Sequence, residues 1–368
     1  MNVFTIFTVF TYLPYVFFAL AMVTFVLPLR LKVRAQAIWT MALLLCFSKF
    51  LCFNAFGGHA FNPDLPAAVI WTWNWIYSGA IILAALALLT VFFRFRAKLW
   101  VLPVLAWGLA AWGLYNGVRP PDVREIELRF ADLPPSLDGY RIVQLSDLHC
   151  SSAARRWRTQ AMVGAANALK PDLICLTGDF ADGKASRIAR HLEPIRALRA
   201  RDGVFACTGN HEYYADYQGW QMNFWAQTEN IRVLANECAF PHPGLALAGV
   251  PDVTGWNMGV DVLPDPRTAF AAATNGEFRV LLQHRPNFAA DYARELGVRL
   301  QLSGHTHGGI APVLSSFVAR LNGGYSRGLY RFGESCLYVS PGSGQWAGFP
   351  IRLLNDSEIS VFTLRRAD

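Results

Sequence analysis

Four long apolar stretches fill the first 118 residues, at about 4–29, 35–56, 66–93 and 99–118. Each approaches or exceeds the ~20 residues that a bilayer-spanning helix needs, and hardly a charge falls inside them. Four in succession point to a transmembrane region rather than to buried helices of a soluble core. Trp71, Trp73, Trp75 and Tyr77 crowd the start of the third stretch, and Trp100 and Tyr115 sit near the ends of the fourth. Interfacial aromatic belts have that placement. No basic residue precedes the first stretch, so a cleaved signal peptide is a poor reading of it.

Charge sets the expected orientation. Arg30, Lys32 and Arg34 follow the first stretch and Arg94, Arg96 and Lys98 the third, whereas the loop between the second and third holds only Asp64. Basic loops stay cytoplasmic. The N-terminus and everything beyond about Val118 are therefore expected outside, on the periplasmic face of a multi-pass inner-membrane protein. Lys49, towards the outer end of the second stretch, is expected to snorkel to the headgroups. Residues 1–118 hold seven Lys/Arg and one Asp, so +6 of the net +7 lies there and the remainder carries +1. A nearly neutral soluble part gives no reason to expect nucleic acid as a partner.

Beyond a proline-broken linker at 119–135, opening on "VRPPDVRE" (118–125), residues 136–368 read as one α/β domain. Short apolar runs at 141–146, 172–178, 204–209, 245–250, 278–283, 299–304, 335–340 and 358–364 suit buried strands. Segments 159–170 and 186–199 have helical spacing between them, which argues for layered α/β architecture. Cys175 and Cys207 lie in such runs as ordinary small hydrophobes. An oxidising compartment could pair Cys238 with Cys336, a pairing that sequence alone does not decide.

The informative residues follow the strands. "SDLH" places Asp147 and His149, "TGDF" Asp179, "TGNHE" Asn210, His211 and Glu212, "LLQHRP" His284, and "SGHTHGG" His305 and His307. Ligands of α/β folds bind beyond the carboxyl ends of strands, so these side chains are expected to converge. Singly, an Asp after "LTG" is a turn residue or helix cap, and an HxH pair is a surface pair. Together, carboxylate, amide oxygen and imidazole suit Mn²⁺, Fe or Zn²⁺, without the thiolates of a structural zinc site. The set is too large for one ion, while a shared carboxylate could bridge two. Two cations ~3.5–4 Å apart activate a bridging water and neutralise the attacked phosphate oxygens, which points to a dinuclear hydrolase. Gly178, Gly209 and Gly304 directly precede Asp179, Asn210 and His305, where close backbone approach and a sharp turn favour glycine.

The ordered pattern D-x-H, G-D, G-N-H-[DE], H, G-H-x-H, from about Arg141 onward, resembles the calcineurin-like metallophosphoesterase superfamily. The tail "LYVSPGSGQWAGFPIRLLNDSEISVFTL" (337–364) is similar to its bacterial branch with a secreted or membrane-anchored catalytic domain. The resemblance implies a four-layer sandwich of two mixed β-sheets flanked by helices, here preceded by a four-helix transmembrane region. It implies that Asp147, His149 and His307 hold one divalent ion, that Asn210, His284 and His305 hold a second, and that Asp179 bridges them. Manganese is the expected metal, with iron or zinc as alternatives. His211 would stabilise the phosphoryl oxygens or protonate the leaving group, positioned by Glu212. Cys150 and Ser151 stand where a glycine is common, and Glu212 where Asp is more frequent; neither change removes a ligand. In the aromatic segment 213–243, Tyr213 and Tyr214 are the candidates for touching substrate.

The expected activity is hydrolysis of a phosphomonoester, phosphodiester or pyrophosphate of a lipid or envelope precursor, by attack of a metal-bridging hydroxide. A cytoplasm-facing UDP-acyl-sugar pyrophosphatase of lipid A synthesis is the alternative. A non-enzymatic metal-binding sensor or transport module is a third reading, which no intramembrane acid chain or broken-helix signature supports.

Overall fold

The computed structural model describes residues 3–57, 62–93, 100–309 and 312–367. The chain divides into two compact units, Met1–Val118 with Ala347–Leu353, and Arg119–Trp346 with Leu354–Asp368.

In the first unit α1 spans Val3–Ala21, α2 Val33–Phe47, α3 Lys49–Gly57, α4 Ala67–Phe92 and α5 Val101–Val118. Thr11–Leu29, α4 and α5 are each long and apolar enough to cross a membrane. The second apolar stretch departs from the expected straight span, because α2 and α3 meet at a 53° bend. Ser48 stands at the break and its Oγ donates to the carbonyl of Leu45 at 2.7 Å, a local bond of the kind that bends helices.

Lys49 corrects a second expectation. It does not snorkel; its side chain is fully buried. Nζ donates to Asn74 Oδ1 at 2.7 Å and to the carbonyl of Gly348. The ring faces of Phe50 and Tyr77 lie 4.5 and 4.6 Å away. Acceptors and π-faces thus replace the water that a buried ammonium would lose. Arg94, Arg96 and Lys98, on which the orientation argument leans, lie outside the described residues.

The second unit is built on two six-stranded sheets. One contains β1 (Asp122–Phe130), β2 (Arg141–Leu145), β3 (Leu173–Thr177), β4 (Val204–Cys207), β5 (Ile231–Val233) and β12 (Glu358–Arg366), in the order β1-β12-β2-β3-β4-β5. The other contains β6 (Glu237–His242), β7 (Leu245–Gly249), β8 (Phe278–Leu282), β9 (Val298–Ser303), β10 (Gly328–Phe332) and β11 (Ser335–Val339), in the order β10-β11-β9-β8-β7-β6. Both are mixed: β2, β3, β4 and β5 run parallel with β12 antiparallel to β2, and β7, β8, β9 and β11 run parallel between antiparallel β6 and β10.

Strand alternation makes the layers. Ile142, Leu173 and Cys175 meet Leu247, Val280, Leu300 and Tyr338 in the core between the sheets. Their neighbours Val143, Ile174 and Leu176 point the other way, onto Met162 and Val163 of α6 (Arg156–Ala168) and Ile188 of α7 (Ala185–Leu192). On the far face Ala246, Ala248 and Leu281 pack against Ala269 and Phe270. The result is helix, sheet, sheet, helix, the metallophosphoesterase sandwich.

Part of the expected linker is strand: β1 lies within 119–135 and pairs in parallel with β12 from Asp122↔Glu358 to Phe130↔Arg366. Cys238 and Cys336 are both free. Their strands β6 and β11 are separated by β7, β8 and β9, about 19 Å at ~4.8 Å per strand, far beyond disulfide reach.

Candidate metal centre

The carboxyl ends of β2, β3 and β4 in one sheet and of β8 and β9 in the other carry the residues singled out above. The loops that follow are held in costly conformations. Asp147, His149, Asp179, His305 and His307 all have positive φ, between 47° and 71°. Non-glycine residues visit that region rarely, and where several do so together the surrounding structure must over-determine them. Glycine supplies room beside them. A Cβ on Gly209 would strike the Asp179 carboxylate, and one on Gly304 would strike Ser146 Oγ and Asp147 Oδ2. At both positions the need is close approach.

The side chains converge in three overlapping triads, of which His149, Asp179 and His211 form the middle one. Asp147, His149 and His307 bring one ligand atom each to within 4.8 Å of one another, and so do Asp179, His284 and His305. His149 Nε2 faces His307 Nε2 at 3.0 Å and lies 3.7 Å from Asp179 Oδ2, while His284 Nε2 is 3.2 Å from the same oxygen. Asp179 therefore stands between the outer triads. Among the described residues Asn210 Oδ1 is buried without a hydrogen-bond partner. Orphaned polar atoms of this kind are costly unless something else engages them. Lone pairs converging in two groups around one carboxylate fit a pair of divalent cations.

His211 opens the short helix α8 (His211–Ala215), and its amide donates to Asp179 Oδ1 at 2.8 Å. Its ring corrects an expectation: Nδ1 pairs with Asp182 Oδ1 at 2.8 Å, so the positioning carboxylate is Asp182 rather than Glu212. The same Asp182 oxygen lies 2.8 Å from His149 Nδ1, joining a candidate ligand to the candidate acid. Glu212 instead accepts the backbone N–H groups of Gly209, Asp179 and Phe180 at 2.6, 3.0 and 2.7 Å. It staples the loops after β3 and β4 together.

The electrostatics follow from burying so many ionisable groups. Burial would raise Asp179, but the charges of His284 and His211 hold its carboxyl well below the usual range. Burial would lower His211, but Asp179 and Asp182 bring it to about 9. His284 is carried the same way to about 10, chiefly by Asp179. Burial, then the charge of Asp179, lifts Glu212 to about 7.

Of the aromatic candidates, Tyr213 is structural. It is buried, its hydroxyl is shared with Thr208 Oγ1 and Asp261 Oδ2 at 2.7 and 2.6 Å, and its ring stacks on Tyr217. Tyr214 lies beside the site, its ring 5.1 Å from that of His211, and Trp346 approaches the same imidazole at 5.8 Å. Trp220 and Trp225 belong to the core. Sequence reasoning missed Asp182, although it follows Asp179 by three residues, and also Arg285, next to His284. It missed Asp252 too, just past β7, where the strand-end rule would have found it.

Residues 140–309 match the calcineurin-like phosphoesterase family. The chain is 34% identical over 274 residues to a transmembrane protein with metallophosphoesterase domain of Danio rerio, covering 70% of this chain and 61% of that one. It is 31% identical over 254 residues to an uncharacterized metallophosphoesterase of Helicobacter pylori, covering 68% and 66%. With one of Bacillus subtilis it shares 29% over 281 residues, covering 71% and 93%. The chain thus spans about 61% of the length of the Danio relative. On this match and this sandwich, the chain belongs to the calcineurin-like metallophosphoesterases, a family of phosphoester hydrolases.

Proposed function

We propose that the second unit is a two-metal phosphoesterase, tethered to the membrane by the first, which hydrolyses a phosphoester or pyrophosphate of a lipid or envelope precursor. The observation that supports this best is the pair of outer triads, with Asp179 a member of one and 3.7 Å from His149 of the other, and Asn210 Oδ1 orphaned beside them. Asp147, His149 and His307 would hold one ion, Asn210, His284 and His305 the other, and Asp179 both. Bound divalent ions, manganese foremost, supply a nucleophile at neutral pH and neutralise phosphate charge. The chain's own residues do the rest. Asp182 commits His211 Nδ1, so the other ring nitrogen is the one to steady a phosphoryl oxygen or hand a proton to the leaving oxygen. Glu212 keeps the loops bearing Asp179 and Asn210 at their spacing. An anchored site meets amphiphilic phosphates at raised effective concentration, which is the reason for favouring a lipid or envelope substrate.

Orientation depends on the bend between α2 and α3. If the pair is one broken span, the basic loops 30–34 and 94–98 share a side and the catalytic unit lies outside. A re-entrant pair would reverse the parity and favour the cytoplasmic UDP-acyl-sugar pyrophosphatase. The shared sign of the two loops supports four crossings. A periplasmic reporter fused after residue 368 tests this, and a dark reporter on an inserted protein rejects the outside orientation. Purified protein with Mn²⁺ is expected to cleave aryl phosphates, phosphodiesters or lipid phosphates. No cleavage of any of these, with Asp179→Asn indistinguishable from the parent, would end the enzymatic reading.

A further inference from the structure

We propose that Arg285 grips the substrate's phosphate and selects a terminal phosphate, a monoester or the end of a pyrophosphate, over a diester; this rests on the two-metal reading above. Arg285 is braced from behind. Its Nε donates to Asp252 Oδ2 at 2.8 Å and its Nη2 to Thr254 Oγ1 at 3.1 Å. Asp252 is buried and is itself fixed, accepting the amide of Thr254 at 2.9 Å while its own amide donates to Thr208 Oγ1 at 3.2 Å. Such a brace holds the plane of a guanidinium, which a flexible ammonium would not match.

The front of the fork meets the site: Nη1 lies 3.1 Å from His305 Nε2. Arginine has donors only, so His305 Nε2 is the acceptor. A metal ion on His305 needs a lone pair of that ring. If Nε2 supplies it, Nη1 loses its acceptor. If Nδ1 supplies it, the ring proton sits on Nε2, which then cannot accept. By either route, filling the second metal position releases Nη1, while Asp252 and Thr254 still hold the fork in place. A released, oriented donor beside the ions is suited to a phosphoryl oxygen.

The preference follows from counting oxygens. A diester has two non-bridging oxygens, one for each ion. A monoester has three, and the third is left for Arg285, whose charge also meets the second negative charge of the dianion.

The test compares the full-length protein with Arg285→Lys and with the double variant Asp252→Asn/Arg285→Met, which leaves no buried charge unpaired. Three quantities are measured: bound manganese, the affinity of the loaded protein for inorganic phosphate by calorimetry, and kcat/KM on p-nitrophenyl phosphate against bis(p-nitrophenyl) phosphate. Metal content is expected to hold, and phosphate affinity to fall roughly 10- to 100-fold, as for the loss of a charged hydrogen bond. Monoester kcat/KM should fall by a similar factor with little change on the diester. Loss of an ion, undiminished phosphate affinity, or equal losses on both substrates would overturn the assignment. Phosphate binding needs no turnover, so an inactive parent whose phosphate affinity depends on Arg285 would defeat the enzymatic reading alone. An active parent whose variants bind phosphate undiminished would defeat only the role given to Arg285.

Discussion

Both units bury charge, and they treat it in opposite ways. In the helical unit Lys49 is enclosed with Asn74, the Gly348 carbonyl and aromatic faces. Asn74 in turn donates to the carbonyls of Ile70 and Ala347 at 2.8 and 3.1 Å. That cluster is satisfied from within. In the second unit polar groups are buried as deeply, yet among the described residues Asn210 Oδ1 is left without a partner and five candidate ligands sit at positive φ. A buried polar cluster that closes on itself holds a structure together, whereas one that stays open and strained is prepared for something else. Lys49 therefore reads as architecture despite its depth in an apolar helix.

The contrast breaks first at Asp179. Asp179→Asn should empty both metal positions and lower activity by on the order of 10³-fold or more, the several kcal/mol that Lewis-acid stabilisation supplies. Manganese stoichiometry and turnover measured together check this; retention of both ions with full activity would make the cluster as closed as that of Lys49. Asp182→Asn should act more weakly. It loosens His149 and His211 without removing a ligand, and support of this kind is worth ~10–100-fold in affinity or rate. An unchanged pH profile and manganese affinity would show that Asp182 supports neither imidazole.

Lys49 offers the converse test. Lys49→Ala leaves Asn74 and the Gly348 carbonyl short of a donor and should destabilise the helical unit by about 1–3 kcal/mol. Metal content and kcat should stay unchanged in the protein that folds. Lys49→Met/Asn74→Leu, which removes both polar partners, should cost less than Lys49→Ala. A fall in kcat at full metal content would show that Lys49 serves the reaction after all.

What the sequence disclosed follows the same physics of burial. The eight apolar runs correspond to β2, β3, β4, β7, β8, β9, β11 and β12, the interior strands. The strands that went unread, β1, β5, β6 and β10, are the four sheet edges. An edge strand has one flank in water and needs no continuous apolar run; in β1 only Leu128 and Phe130 are buried among alternating charges. The candidate site was legible because strand ends bring distant motifs together. The partners Asp182, Asp252 and Arg285 were not, because a carboxylate that braces an imidazole or guanidinium looks like any loop residue until the pair is seen. Lys49 was misjudged for a related reason, since its acceptors come from 25 and 299 residues away.

The smallest expected effect concerns pH, and it separates protons from metal ions as the occupants of the open cluster. In metal-free protein His211 and His284 stand at about 9 and 10, above the ordinary 6.5. Groups raised on folding contribute stability that is complete below the unfolded value and is lost as pH climbs through the folded one. Glu212, at about 7 against 4.5, runs in the same direction from lower pH. Melts in EDTA should therefore weaken steadily from pH 6.5 to about 10. With manganese present the slope should flatten or reverse, because ligands must shed protons to bind and affinity rises with pH. Identical slopes with and without metal would mean that the ions do not take the protons' place, and the open cluster would then need a different occupant.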